Sequence, residues 1–180
     1  MNDNWLKTLR CKERDAYYQA GHAVVALSEG LEVVCLYIEN DGSSWIDVTY
    51  PGLSQSRLDR SVRARLDAKS VIRALLAGPA SELRYRFGSP YPDGPLEFDL
   101  LAPGMLESEA VWRAISIAGR VSEIGPYLIH SLWRRVNHQI HQGNAWVAIE
   151  AVANALLITG ELAGCEVSEI AKNATKVAKP

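Results

Sequence analysis

One strong turn sequence fixes where this chain can place its β-structure. Residues 40–44 read Asn-Asp-Gly-Ser-Ser, and the Asp-Gly step is typical of a tight turn between two antiparallel strands. The flanking segments, 32–39 (EVVCLYIE) and 45–50 (WIDVTY), are rich in β-branched and aromatic side chains, which favour strands. The sequence therefore predicts a β-hairpin, or two neighbouring strands, around this turn.

The rest of the chain shows mainly helical periodicity. A helix is predicted from about Trp5 to Ser28, because its apolar residues recur at helical spacing and Gly30 is a suitable stop. A second helix is predicted over about 56–87, with a kink or boundary at Gly78-Pro79, and a third over about 105–123, with a stop at Gly125-Pro126. Two more helices are predicted over about 127–142 and 144–159. A last helix is predicted from about Val167, after a turn at 160–164. We therefore predict a mostly α fold with a small β-sheet (α+β), arranged as a helical bundle.

Composition limits the class of protein. The chain of 180 residues is 48% hydrophobic, so we expect a single domain over residues 1–180, with 176–180 as a frayed tail. Basic and acidic residues are interspersed and the net charge is -2, which predicts no nucleic-acid partner. The three cysteines form no C-x-x-C pair, no secretory signal is present, and no apolar run approaches the roughly 20 residues of a membrane-spanning helix. We expect a soluble cytoplasmic protein with no membrane partner.

The segment Tyr18-Gln19-Ala20-Gly21-His22 resembles a metallopeptidase motif in which two positions are replaced. In zincin peptidases, H-E-x-x-H places two histidines on one helix face, where they bind Zn²⁺, and the glutamate is the general base for the metal-bound water. Here His22 occupies the second histidine position, Tyr18 the first, and Gln19 the position of the base. Taken alone, a single histidine on an apolar helix is more often a core residue than a metal ligand.

Four segments together resemble the peptidase domain of FtsH-type ATP-dependent zinc metalloproteases. Residues 16–27 (AYYQAGHAVVAL) are similar to that family's A-Y-H-E-A-G-H-A-x-V-A segment, and 75–82 (LLAGPASE) to its L-x-G-R-A-A-E helix. Asp99-Leu100 matches its D-L pair, and 148–170 resembles its final helix and T-L-x-G-x-E-V turn. These matches occur in family order and cover most of residues 13–170.

The resemblance implies a degenerate zinc site. The aspartate of the D-L pair is the family's third zinc ligand, so His22 and Asp99 are vestigial metal ligands, with Tyr18 at the first-ligand position. A catalytic zinc has three protein ligands and a water. Tyr18 could bind only as a phenolate, which costs about 4 kcal/mol at pH 7 because the ordinary pKa of tyrosine is about 10. Gln19 occupies the general-base position without a titratable proton, so we expect no active catalytic residue. No cofactor is expected, and zinc only if the site functions after all.

The sequence departs from the family pattern in further ways. The proteases carry an ATPase module ahead of the peptidase domain, whereas no G-x-x-x-x-G-K-[ST] phosphate loop occurs here. Pro79 stands where the family usually has arginine, and Pro103 follows Asp99 where the family usually continues a helix. Because proline changes the local backbone, both bear on the position of Asp99.

A stripe of polar residues on a later helix is another candidate site. His130, Arg134, His138 and His141 lie at helical spacing, and histidines three positions apart can share a metal ion. An ordinary solvated polar face explains the same pattern and is the commoner case.

Two smaller groups complete the candidates. Asp93, Glu97 and Asp99 are either a divalent-cation site or hydrated residues of a proline-rich loop. Cys11 and Cys35 would need a neighbouring base to act as nucleophiles, and the inert cysteine is far commoner.

The favoured function is therefore a peptidase-like domain that binds a protein or peptide without hydrolysing it. The expected binding place is a cleft beside the helix that carries His22 and the first strand, where Tyr18, His22 and Asp99 are expected to converge. Two alternatives stay open. One is an active zinc metallopeptidase that uses His22, Asp99 and an unrecognised third ligand. The other is a helical scaffold or oligomerisation module, and a homo-oligomer is a possible partner state in either case.

Overall fold

The fold is given by a computed structural model, which describes residues 3–39, 44–49, 62–88, 114, 116–117, 125–142 and 144–177. Within these ranges the chain forms five helices and three strands. In chain order they are α1 (Asp3–Ser28), β1 (Glu32–Ile38), β2 (Ser44–Thr49), α2 (Val62–Phe87), α3 (Gly125–Gln142), α4 (Ala145–Thr159), β3 (Glu161–Ala163) and α5 (Gly164–Val177). The prediction of a mostly α fold with a small β-sheet is confirmed.

Several boundaries differ from the sequence prediction. Helix α2 continues through Pro79, so of the two predicted alternatives the helix boundary is wrong and the kink stays a prediction. Helix α3 begins at Gly125 rather than at about Tyr127 as predicted, and the predicted turn between Gly160 and Gly164 contains β3. The predicted helix over 105–123 lies outside the described residues except for positions 114, 116 and 117, which are helical. Helix α5 ends at Val177, and residues 178–180 lie outside the described part.

The end of α1 is fixed by its backbone. Gly30 has a φ of 76°, a left-handed conformation that glycine adopts without a Cβ clash. Its N–H donates to the carbonyl of Leu27 at 3.1 Å, and the N–H of Leu31 donates to the carbonyl of Ala26 at 2.9 Å. This is a Schellman motif, which satisfies the last carbonyls of a helix. Leu31 is buried, so the chain enters β1 already anchored in the core.

The three strands form an antiparallel sheet in the order β2-β1-β3. Leu36 pairs with Ile46 on one side and with Leu162 on the other, and this row faces the helices. Because side chains alternate along a strand, the neighbouring rows face away from them. Those rows contain Tyr37 opposite Trp45 and Glu161, and Cys35 opposite Asp47 and Ala163. A register shift between Val33 and Cys35 marks a β-bulge in the central strand.

Helix α1 lies at the centre of the core, where it contacts α2, α4, α5, β1 and β2. Its face towards α2 includes Gly21, which lies against Ala77 and Ser81, and His22, which lies against Ala74 and Gly78. All six residues are buried. Small side chains let two helix backbones approach closely. The helices in the described ranges include none that is both long and apolar enough to span a bilayer.

Candidate functional site

The predicted motif lies where α1, α2 and β2 meet. Gln19 and His22 are 4% and 6% exposed, and both stand among buried alanines of α1. A Cβ atom on Gly21 would lie 2.6 Å from the carbonyl oxygen of Ala77, so this glycine sets the separation of the two helices. The polar residues of the motif are therefore enclosed by backbone as well as by side chains.

His22 is held by a single backbone acceptor and by packing. Its Nδ1 lies 2.6 Å from the carbonyl oxygen of Ala74 on α2. Because a carbonyl can only accept, Nδ1 carries the proton of the neutral ring and Nε2 carries the lone pair. A Cβ atom on Gly78 would lie 2.6 Å and 2.7 Å from Cδ2 and Cε1, and only slightly closer to Nε2. Gly78 therefore packs over the face of the ring and not along the in-plane lone pair.

Burial keeps His22 neutral. Removal from water disfavours the imidazolium and lowers the pKa of His22 from 6.5 to about 4, although the hydrogen bond to Ala74 acts in the opposite direction. The neutral form is also the form that ligates metals, and metal-bound histidines usually donate their other ring N–H to a carbonyl or carboxylate. His22 is therefore in a state compatible with one metal bond.

Gln19 connects α1 to the first residue of β2. Its Nε2 donates to Ser44 Oγ at 3.0 Å. Its Oε1 is buried and has no hydrogen-bond partner among the described residues. The oxygen and nitrogen of a side-chain amide are distinguished only by such contacts. If the amide of Gln19 were flipped, Oε1 would bond Ser44 and Nε2 would have no partner among the described residues. Neither end of Gln19 can take a proton from water, so this position has no general base.

Tyr18 borders the site through the ring of His22. Its ring meets the ring of His22 edge-on, with centroids 4.6 Å apart and planes at 84°. Aromatic pairs favour this geometry because the positive edge of one ring faces the negative face of the other. The predicted convergence of Tyr18 and His22 is therefore present, whereas Asp99, the third member, lies outside the described residues, as do Asp93 and Glu97.

Ser81 is a polar residue of the site that the motif did not reveal. It is fully buried on α2, and its Oγ faces Gly21 without a hydrogen-bond partner among the described residues. Ser44 and the carbonyl of Ala74 were not predicted either. A serine or a backbone carbonyl carries no pattern that would assign it to His22 or Gln19 from the sequence.

Replacing Ser81 with alanine is expected to leave the free energy of unfolding unchanged or to raise it by about 1 kcal/mol, because a buried hydroxyl without a partner opposes folding. The measurement is equilibrium urea unfolding. Ser70→Ala is the matched control on the same helix, since Ser70 Oγ donates to Glu29 Oε2 at 3.0 Å, and it should lose about 1 kcal/mol. A loss at Ser81 as large as that at Ser70 would contradict the expectation.

An ion pair closes the interface of α1 and α2 next to the site. Arg73 donates to both carboxylate oxygens of Glu29, through Nε at 2.6 Å and through Nη2. Both side chains are about four-fifths or more buried, with 16% and 15% exposed. Two parallel hydrogen bonds fix orientation as well as distance, so the contact holds the end of α1 against α2.

A stack of planar groups supports the other side of α1. Tyr17 lies between Tyr85 of α2 and Trp146 of α4, with centroids 4.3 Å and 5.4 Å away. The guanidinium of Arg84 lies over the Trp146 ring, 4.3 Å from its centroid. The stack joins three helices through Tyr17, the residue that precedes Tyr18 in α1.

The remaining candidates are dispersed. His130, Arg134, His138 and His141 lie along α3 with intermediate or high exposure. Burial and the nearby Arg84 lower the pKa of His141. Cys35 is partly buried on β1, and the side chain of Cys11 is outside the described part. Among the residues with described positions, no three His, Cys, Asp or Glu side chains come together to share a metal ion.

The described side chains do not fit a zinc ion. His22 supplies one suitable nitrogen, but Tyr18 is a phenol and Gln19 a neutral amide, whereas a catalytic zinc has three protein ligands, each a neutral imidazole, a thiolate or a carboxylate, and a water. Comparison with protein-family models and with curated proteins finds no match to this chain.

Proposed function

We propose that this domain is a catalytically inactive FtsH-type metallopeptidase-like module that binds an extended peptide beside α1. The observation that carries the proposal is the hydrogen bond between Gln19 and Ser44. It joins the general-base position of the motif to the first residue of a strand at the edge of the described sheet. A peptide paired with β2 would therefore pass next to Tyr18 and Gln19.

The chemistry of the replaced positions supports an inactive site. A general base contributes about 10²–10⁴-fold to catalysis, and glutamine cannot serve as one. Tyr18 supplies its oxygen as a ligand only after losing a proton, which a neutral phenol retains at pH 7. Only His22 keeps both the residue type and the proton arrangement of a metal-binding histidine.

Strand addition is the binding mode that the architecture favours. Antiparallel strands pair through backbone N–H and C=O groups, and an edge strand offers one row of these groups to another chain. Among the described strands β2 and β3 are the edges. β2 has six residues and β3 has three, so β2 offers the longer pairing surface.

The purified protein is expected to bind fluorescein-labelled casein without cleaving it and to contain no stoichiometric zinc after dialysis against zinc. The reason is that Tyr18 removes a nitrogen ligand and Gln19 removes the base. Fluorescence anisotropy measures binding, gel electrophoresis measures cleavage, and elemental analysis measures zinc. About one zinc per chain, lost in His22→Ala, would instead favour an active metallopeptidase.

Restoring the motif sharpens this experiment. Tyr18→His should raise zinc retention, because imidazoles at i and i+4 share one helix face and suit Zn²⁺. Tyr18→Phe is the matched control, since it keeps the ring against His22 and adds no ligand. The double variant Tyr18→His/Gln19→Glu also restores the general base, and slow cleavage of casein is expected in this variant if in any. Equal zinc retention in the histidine and phenylalanine variants would contradict descent from a zinc site.

A further inference from the structure

The side of the sheet that faces away from the helices carries aromatic and acidic groups. We call it the outer face and define it by the rows described above: Tyr37 with Trp45 and Glu161, and Cys35 with Asp47 and Ala163, together with Glu32. Trp45 is 49% exposed, and it stacks on Tyr37 with centroids 4.5 Å apart. Glu32, Asp47 and Glu161 are exposed.

The charged side chains of the three strands are all acidic. The three strands contain the carboxylates of Glu32, Asp47 and Glu161 and no lysine, arginine or histidine. Lys12 of α1 lines the groove at one end of the face together with Tyr37 and Glu161. Asp47 stands on the other edge strand, two positions from Trp45, so its carboxylate and the indole point to the same side.

We propose that the segment recognised at β2 is basic, with lysine or arginine on alternate residues that project onto the outer face. This inference rests on the proposed peptide-binding function and names the partner's chemistry. Directly opposed residues on neighbouring antiparallel strands have Cβ atoms about 5 Å apart, so residues of an added strand lie beside Asp47 and Trp45. A cation opposite Asp47 forms a cross-strand ion pair, and a cation over the indole is attracted to its π-face.

An extended segment satisfies both contacts at once. Side chains two positions apart in a strand point to the same side, and Trp45 and Asp47 have this spacing. Two basic residues separated by one other residue therefore match the pair. The intervening residue points towards the helices, where Ile46 and the buried Val48 offer apolar contacts, so an apolar residue fits there.

The test uses a fluorescein-labelled peptide of alternating arginine and valine, with a glutamate–valine peptide of equal length as its counterpart. We expect the basic peptide to bind more tightly, and increasingly so as salt is lowered. Asp47→Asn should weaken binding about threefold, Asp47→Lys about tenfold, and Trp45→Ala about threefold, which are the sizes of exposed ion-pair and cation–π contacts. Glu169→Gln and Glu169→Lys, at an exposed site on α5, are the matched controls and should change nothing.

A second form of the basic peptide, with N-methyl groups on alternate backbone nitrogens, separates the two proposals. Loss of binding on N-methylation together with no effect of the Asp47 variants would overturn the basic preference and leave strand addition standing. Binding that survives N-methylation but is weakened by the Asp47 variants would overturn strand addition and support a basic partner lying on the outer face. Self-association that Trp45→Ala abolishes, without any peptide binding, would overturn the inference in favour of a second copy of the chain.

Discussion

Replacing Gly78 with alanine is expected to lower the free energy of unfolding by about 2 kcal/mol, although alanine is the better helix former. The added Cβ would lie 2.6 Å from Cδ2 of His22, well inside van der Waals contact. The buried ring cannot swing away without breaking its hydrogen bond to Ala74. Overpacking of this kind costs about 1–3 kcal/mol, and the helix propensity of alanine returns about 1 kcal/mol at most.

A double-mutant cycle isolates this contact. In a His22→Ala background the ring is absent, so Gly78→Ala should become neutral or stabilising by up to about 1 kcal/mol. The measurement is urea unfolding of four proteins: the parent, each single variant and the double variant. The change of sign between the two backgrounds is the expected result. A similar loss of stability on Gly78→Ala in both backgrounds would mean that the added methyl group clashes with a residue other than His22.

Acidification is expected to destabilise the protein through His22. Its pKa is 6.5 when exposed and about 4 in the fold, so between these values the unfolded chain binds a proton that the folded chain excludes. The contribution of neutral His22 to the free energy of unfolding is fully present above pH 6.5 and is lost as the pH falls towards 4. By linkage the loss relative to pH 8 is about 2 kcal/mol at pH 5 and about 3 kcal/mol at pH 4.

The comparison that measures this effect is with His22→Gln, which can still donate to the carbonyl of Ala74 but does not titrate. Both proteins share every other titrating group, including Asp15, whose pKa is raised by burial. The difference between their free energies of unfolding should therefore change with pH by the amount calculated for His22 alone, with the parent protein losing more stability than His22→Gln as the pH falls. Parallel curves from pH 8 to pH 4 would show that His22 is accessible to protons in the folded state.

The hairpin and the first helix could be predicted because their signals are local. An Asp-Gly step between β-branched segments specifies a turn wherever it occurs, and Gly30 ends α1 through its own backbone conformation. The strand β3 could not be predicted in the same way. Residues 161–163 (ELA) have little strand propensity, and they are extended because β1 pairs with them. Pairing of this kind depends on tertiary context.

At Pro79, tertiary packing decided between the two predicted alternatives of a kink and a helix boundary. A proline inside a helix removes one hydrogen bond and costs about 3 kcal/mol, which favours a break. Helix α2 nevertheless continues, since Ala74, Ala77, Ala80 and Ser81 on both sides of the proline are buried against α1 and the rest of the core. Burial along both halves of the helix outweighs the local cost.

For the candidate site, the motif predicted which side chains of α1 matter but not what they contact. His22 and Gln19 were recognisable because they occupy the second-histidine and general-base positions of an H-E-x-x-H-like segment. Their partners are a main-chain carbonyl on α2 and a serine at the start of β2. Neither has a sequence signature, because each contact depends on how α1 packs against another element: the His22 contact on the close approach of α2 at Gly21 and Gly78, and the Gln19 contact on the position of β2.

The strand order β2-β1-β3 has a consequence for the growing chain during translation. β1 and β2 are neighbours in sequence and can pair as soon as both have left the ribosome, but in the described part of the chain three helices, α2, α3 and α4, separate β2 from β3. Until residues 161–163 emerge, the second edge of β1 has no strand to cover it, and unpaired edges are sites of aggregation. The pairing of β1 with β3 joins distant parts of the sequence, and such contacts form more slowly than the local pairing of β1 with β2. The pairing of β3 thus covers an edge of β1 that no described strand can cover earlier in translation.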